Sequence, residues 1–296
     1  MKKRIPALLL VLALLLTGCG GRETAPEPTA TPLPVPSATP APTPTPRPQF
    51  DYEEVLADTE AFRLTATDLS LDEAGDWVIR LRLENRADEI LSFYLRYQSI
   101  NGLATGESME YRVAVGGTQE QEFRVLSGEL AAWGMERPVQ WSFRLLVYSA
   151  ESLREPYFDG ELSASPFGEE AAVRYEYIPT PHDIVVMDNE FATVYITGCQ
   201  QDEGGLSVDY VAVSRCDAPL RLVLPERCVW LDGAAWPAQL ADDFGARTTL
   251  IGYIPVPGWS GEALPEDVIF SLSLADPTDQ DCPELKNGES IVRLSF

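Results

Sequence analysis

The side chains able to do chemistry in this 296-residue chain are lopsided in kind: 46 acidic residues, five cysteines and a single histidine. The histidine, His182, sits in Pro179-Thr180-Pro181-His182-Asp183, where the flanking prolines predict an exposed connecting segment. One imidazole cannot build a His-Glu-x-x-His zinc site, and neither a Gly-x-Ser-x-Gly elbow nor a glycine-rich phosphate loop occurs. Paired carboxylates alone suffice for glycoside hydrolysis, but among so many acids a pairing carries no information. Asp72, Glu73 and Asp76, and likewise Asp202 and Glu203, fall where hairpin turns require Asp and Gly for their own geometry. Asp276, Asp279 and Asp281 form a looser cluster without the central glycine and terminal glutamate of an EF-hand loop. Acid–base and nucleophilic work at neutral pH usually recruits histidine, an activated thiol or a metal. The expectation is therefore a protein that is not an enzyme and needs no cofactor or metal.

Recognition is better provided for than reaction. Trp77 and Trp141 lie on alternating stretches and read as core. Trp133, Trp230, Trp236 and Trp259 stand beside Gly, Pro and Asp and read as loop residues. Of these, Trp230, Trp236 and Trp259 are the candidate binding residues, apolar anchors that could stack on a cell-wall glycan or grip an envelope protein. The formal charge of −24 falls to −27 (−24 − 3) once Lys2, Lys3 and Arg4 are removed with a leader, a balance that repels nucleic acid and anionic lipid.

The elements that must carry these residues begin with an address. Lys2, Lys3 and Arg4 precede an apolar run from Ile5 to Leu16, too short at about 1.5 Å per residue to span a bilayer of about 30 Å, so it reads as a secretory h-region. The run closes on Leu16-Thr17-Gly18-Cys19, which resembles the lipobox of bacterial lipoproteins. That resemblance implies a signal peptide over 1–18, lipidation of Cys19, and a chain held by that lipid to the outer face of the cell membrane. From Glu23 to Pro48 the composition turns to alternating Pro, Thr and Ala, which can build neither helix nor sheet. In polyproline II form this stalk, within 19–50, would reach on the order of 80 Å.

Beyond Phe50 the chain alternates with period two, as in Trp77-Val78-Ile79-Arg80-Leu81-Arg82-Leu83, which predicts half-buried antiparallel strands. Sliding the two halves past each other exposes a repeat at an offset of 129: Phe62 falls on Phe191, Asp88 on Asp217, Leu91 on Leu220, Val139 on Val268 and Trp141 on Phe270. The turns follow, Asn101-Gly102 answering Asp232-Gly233 and Asp159-Gly160-Glu161 answering Asn287-Gly288-Glu289. The expected fold is all-β: two tandem immunoglobulin-like sandwiches over 51–165 and 184–296, joined by a linker over 166–183, with one helical turn at Gly128–Trp133.

The strand ending in Leu83-Glu84-Asn85, the turn Val115-Gly116-Gly117-Thr118 before Phe123-Arg124-Val125, and the lipobox with its Pro/Thr stalk resemble the immunoglobulin-like domains of Gram-positive lipoproteins of the DUF4352 type. That resemblance implies extracytoplasmic binding or spacing without catalysis. The second copy departs from it with Ser214 where the first has Asn85.

Cys199, Cys216, Cys228 and Cys282 all fall in the second copy, and an even number in an exported domain predicts disulfides. Three connectivities are open. Strand direction ranks Cys199 with Cys228 and Cys216 with Cys282 first, unless a short hairpin near Trp230 reverses the later strands; four free thiols packed as small hydrophobes is the alternative. The partners expected are the membrane, through the lipid on Cys19, with a cell-wall glycan or an envelope protein, and no nucleic acid. The reading is a non-catalytic binding, adhesion or spacer module; the alternatives are a structural subunit of an envelope complex and, behind it, a carboxylate-dependent hydrolase.

Overall fold

Period two puts alternate side chains on opposite faces of a strand, and the stretch from Trp77 obeys it. Strands β3 (Phe62–Leu71) and β4 (Trp77–Asn85) pair antiparallel, from Phe62 opposite Asn85 to Leu71 opposite Trp77, with Leu64, Leu69, Ile79, Leu81 and Leu83 fully buried. A computed structural model of the chain describes residues 49–50, 52–152, 155–168, 174–202, 204–261, 263–279 and 283–295. The leader, Cys19 and the stalk before residue 49 lie outside the described residues.

Three sheets make up the described chain. The first joins β1 (Gln49–Phe50), β2 (Glu54–Asp58), β3, β4 and β8 (Thr118–Val125). The second has nine strands. From the first half it takes β5 (Leu91–Ile100), β6 (Leu103–Ala104), β7 (Met109–Val113), β9 (Trp141–Ser149) and β10 (Phe158–Ala164). From the second half it takes β11 (Ile184–Asp188), β12 (Ala192–Asp202), β13 (Gly205–Ser214) and β18 (Thr249–Pro257). The third sheet holds β14 (Leu220–Val223), β15 (Cys228–Leu231), β16 (Ala234–Pro237), β17 (Ala241–Phe244), β19 (Asp267–Ala275) and β20 (Glu284–Ser295). Among the described residues the one helix is α1 (Ser127–Ala132), and no helix is long and apolar enough to cross a membrane.

The protein is thus all-β, with antiparallel sheets stacked as sandwiches around two apolar cores. One core gathers Phe62, Phe93, Leu145 and their neighbours, with Phe123 stacked on Trp141 at 4.4 Å. The other gathers Val194, Tyr210, Phe244, Phe270 and Leu272. Ala104 of β6 belongs to this second core although every other residue in it comes from beyond residue 186. The two halves are therefore joined by more than the connecting segment: Thr249 of β18 pairs in parallel with Leu103 of β6, which makes the middle sheet continuous across both.

The turns show what local sequence can and cannot settle. Asn101-Gly102 (φ 53° and 82°) and Asp232-Gly233 (φ 49° and 82°) build the same left-handed two-residue turn, the geometry for which Asn-Gly and Asp-Gly are suited. By contrast, Asp159-Gly160-Glu161 is not a turn but runs inside β10, and Asn287-Gly288-Glu289 falls within β20, where the β19–β20 register shifts between Glu284 and Glu289. A glycine flanked by acids is a turn signal only when the partner strand does not continue, and β9 pairs with β10 through Gly160 opposite Leu145. Asn85 and Ser214 end corresponding strands with different chemistry. The Asn85 amide donates to the carbonyls of Glu89 (2.8 Å), Val113 (2.9 Å) and Ala114 (3.1 Å), whereas the Ser214 hydroxyl accepts from the Arg247 N–H at 3.2 Å.

Candidate functional site

The residues singled out by sequence do not assemble into one site. Trp230 and Trp236 stand on strands β15 and β16, not in loops, because Cys228–Leu231 and Ala234–Pro237 form the extra hairpin. Trp230 alternates with buried Val229 and Leu231 and is 42% exposed, whereas Trp236 lies opposite Val229 on the inner side. Trp236 meets Trp259, which follows β18, edge to face at 5.4 Å, and both indoles pack on the second core with buried N–H groups that have no hydrogen-bond partner. Trp230 therefore shares no surface with the other two. Trp77 and Trp141 are core, and Trp133 closes α1 as its C-cap.

Cys199, Cys216 and Cys228 stand as free thiols in this structure, and Cys282 lies outside the described residues. Burial, with Asp209 beside it, pushes the Cys199 thiol up to about 11, the reverse of what a nucleophile needs. His182 is exposed in a turn whose Asp183 carboxylate accepts from the Tyr177 hydroxyl at 2.6 Å and the Thr180 hydroxyl at 2.9 Å. The segment around it is fastened to the body: Tyr175 N–H donates to the Asn101 carbonyl, and the Tyr177 ring lies 5.2 Å from that of Tyr195. Asp72 accepts the Ala74 and Asp76 N–H groups, and Asp276 accepts both the N–H and the hydroxyl of Thr278, so both serve their own turns. Glu203 and Asp281 lie outside the described residues. No group of three metal-ligating side chains occurs among the described residues.

A site does form where β6 meets β18, from residues that sequence left unremarked. A cleft of about 550 Å³ runs along this joint, within the size range of small-molecule sites. One wall is the outward face of β18, where Ile251, Tyr253 and Pro255 alternate with buried Leu250, Ile254 and Val256; Tyr253 is 59% exposed. The other walls are Thr105 and Gly106 after β6, and Gln239 to Asp243 around β17. Tyr210 reaches the cleft from the second core. Its buried hydroxyl donates to Asp242, and burial first, then that carboxylate, raises it far above the usual phenol range. Gly252 makes room for this contact, since a Cβ there would lie 2.5 Å from the Tyr210 hydroxyl oxygen. Asp243 is gripped by Arg221 through two bonds of 2.5 and 2.8 Å.

Arg96 lines a separate, smaller recess with Tyr94, Tyr97 and Glu107, which adjoins the cleft at Gly106 and Asp243. Its guanidinium lies 5.0 Å from the Tyr97 ring centre and 5.4 Å from that of Tyr94, and its Nε is buried without a hydrogen-bond partner. The β5–β9 register slips between Arg96 and Ser99, and Tyr97 sits at φ +51°, a conformation a bulky side chain adopts at a cost of about 1–3 kcal/mol. Bulges of this kind re-aim side chains. Here the slip turns Tyr97 toward the second half, where its hydroxyl donates to the Pro277 carbonyl at 3.2 Å. The sequence signal for this wall was present in the apolar outward row Ile251-Tyr253-Pro255, on a strand whose exposed face would ordinarily be polar.

The class of protein this defines is a two-core, all-β sandwich protein with a cleft at the joint between its halves. No protein-family model matches the chain, and no curated protein sequence matches it. Among solved structures, the YadV chaperone is similar at 12% identity and a TM-score of 0.23, over 73% of this chain and 92% of that one. Red sea bream transglutaminase is similar at 8% identity and a TM-score of 0.22, over 81% of this chain and 31% of its own length. Neither likeness carries an argument about activity.

Proposed function

We propose that this chain is an extracytoplasmic lipoprotein of the immunoglobulin-like, DUF4352 type, anchored through Cys19 and acting as a binding module of the cell envelope without catalysis. The observation that supports it is the cleft along the β6–β18 joint, where an exposed aromatic, an apolar row and hydrogen-bonding side chains converge on rigid strands. The acids nearest the cleft are engaged, Asp242 by Tyr210 and Asp243 by Arg221, which fits recognition better than proton transfer. Immunoglobulin-like sandwiches after a proline-rich stalk suit presentation of such a cleft away from a membrane.

The test has two arms, both on the full chain. Cys19→Ser should release the protein to the medium or leave an unprocessed precursor, and wild type starting at a residue other than 19 without lipid would refute the anchor. Purified wild type should sediment saturably with isolated envelopes, and no retention would refute the binding module. A second reading, an accessory subunit of an envelope complex, is favoured by β11, an edge strand of the middle sheet whose Ile184 and Val185 are 43% and 54% exposed. Co-isolation of a stoichiometric protein partner that is lost on Val185→Lys would favour it.

A further inference from the structure

The cleft can be read for the chemistry of its occupant, on the premise that the chain is a binding module. Three features bear on it. The first is Tyr253, more than half exposed, flanked by Ile251 and Pro255 on one face of β18. An exposed ring beside a shallow apolar row offers a flat platform to the C–H face of a pyranose.

The second feature is the edge of β18. Thr249 N–H donates to the Gly102 carbonyl at 2.8 Å across the joint. By period two the N–H groups of Ile251 and Tyr253 point the same way, where no strand is paired among the described residues. Pro255 and Pro257 continue that edge without donors, so only a short stretch of backbone is available. A peptide adding as a strand needs a run of alternating donors and acceptors; a compact ligand with several hydroxyls does not.

The third feature is charge. Asp243 is neutralised by Arg221 and Asp242 accepts from the Tyr210 hydroxyl, and in a chain of net charge −24 an anionic polymer is repelled. Arg96, with a buried unpartnered Nε and its guanidinium packed between tyrosines, is a donor with hydrogen-bonding capacity left over. Gln239 and Thr105 add a planar amide and a hydroxyl to the opposite wall.

We infer that the β6–β18 cleft is a binding site for an uncharged oligosaccharide, with Tyr253 as the stacking platform, Gln239 and Asp242 meeting the sugar hydroxyls, and Arg96 of the adjoining recess at one end. The occupied length is a few sugar units, given the cleft volume of about 550 Å³. Discrimination against acidic glycans comes from the surrounding charge, not from a dedicated contact.

Titration calorimetry on the full chain in detergent, with chitotetraose and maltotetraose as neutral probes and tetragalacturonate as the acidic one, tests this. At least one neutral probe should bind and the acidic probe should not. Tyr253→Ala should weaken that binding at least tenfold with an unchanged melting temperature, while Tyr253→Phe keeps it within about twofold. Binding unchanged in Tyr253→Ala, or a preference for tetragalacturonate, overturns the assignment. If neither neutral probe binds while wild type still sediments with envelopes, the saccharide class is wrong and the binding module stands. If envelopes fail to retain it too, both readings fall.

Discussion

Leu103 and Thr249, 146 residues apart in sequence (249 − 103), stand opposite each other as the parallel pair through which nine strands become one sheet. Around that pair, Ala104 enters the core of the other half and Tyr97 reaches the Pro277 carbonyl. A defect on the first-half side of the joint should therefore be felt in the second half.

Ala104→Asp places an unpaired carboxylate among Leu250, Tyr210 and their neighbours, at a position 8% exposed. The expected cost is about 2 kcal/mol or more. Urea unfolding should show the loss, and limited proteolysis should cut faster between residues 184 and 296. Protection of that region at the wild-type level would show the halves to be energetically separate.

Asn85 is 2% exposed and ties the end of β4 to the Glu89 carbonyl of the β4–β5 connection and to the Val113 and Ala114 carbonyls where β7 turns toward β8. Asn85→Ala leaves those acceptors unsatisfied and should cost about 1–3 kcal/mol, read from the urea midpoint at constant slope. Asn85→Ser, the residue type the second half uses at Ser214, should recover little, because a hydroxyl offers one donor where the amide offers two.

Cys199 is half-buried with its thiol raised to about 11, so at pH 8 it is almost wholly protonated. In reduced native protein, iodoacetamide should modify it at least tenfold more slowly than a small-molecule thiol, and unfolding in urea should abolish the difference. Non-reducing peptide mapping of the native protein then decides whether Cys199 pairs with Cys228 and Cys216 with Cys282.

Burial works against ionisation of Asp183, but hydrogen bonds from Tyr177 and Thr180 outweigh it and hold the carboxyl below the usual range. A depressed carboxylate stabilises the fold above its unfolded pKa of about 4, and that contribution is lost as pH falls through the lower folded value. Asp183→Asn should thus cost about 1 kcal/mol at pH 7, and the gap to wild type should close as pH falls below the unfolded pKa of about 4. A gap that widens on acidification would assign the opposite sign to this carboxyl.

Strands, two of the turns and the largest core residues were legible in the sequence because each rests on a local rule. Period two marked Trp77 to Leu83 as half-buried, and the left-handed turn selected Asn101-Gly102 and Asp232-Gly233. Trp141 was core because a large aromatic on an alternating strand has nowhere else to go. The repeat likewise carried the order of the strands, although Asp159-Gly160 misled as a turn because strand continuation depends on the partner.

Everything that defines the cleft depended on non-local pairing. Leu103 and Thr249 meet through one backbone register that leaves no periodic trace, and two residues of strand at β6 are too short to announce themselves. The slip at Arg96, the inward turn of Trp236 and the outward row at Tyr253 follow from which strand edges come to lie side by side. Alternation told that these side chains lie on one face or the other of a strand; only the packed sheets decided which face is core, which is solvent and which is a wall of the cleft, because burial belongs to the whole arrangement and not to any segment of it.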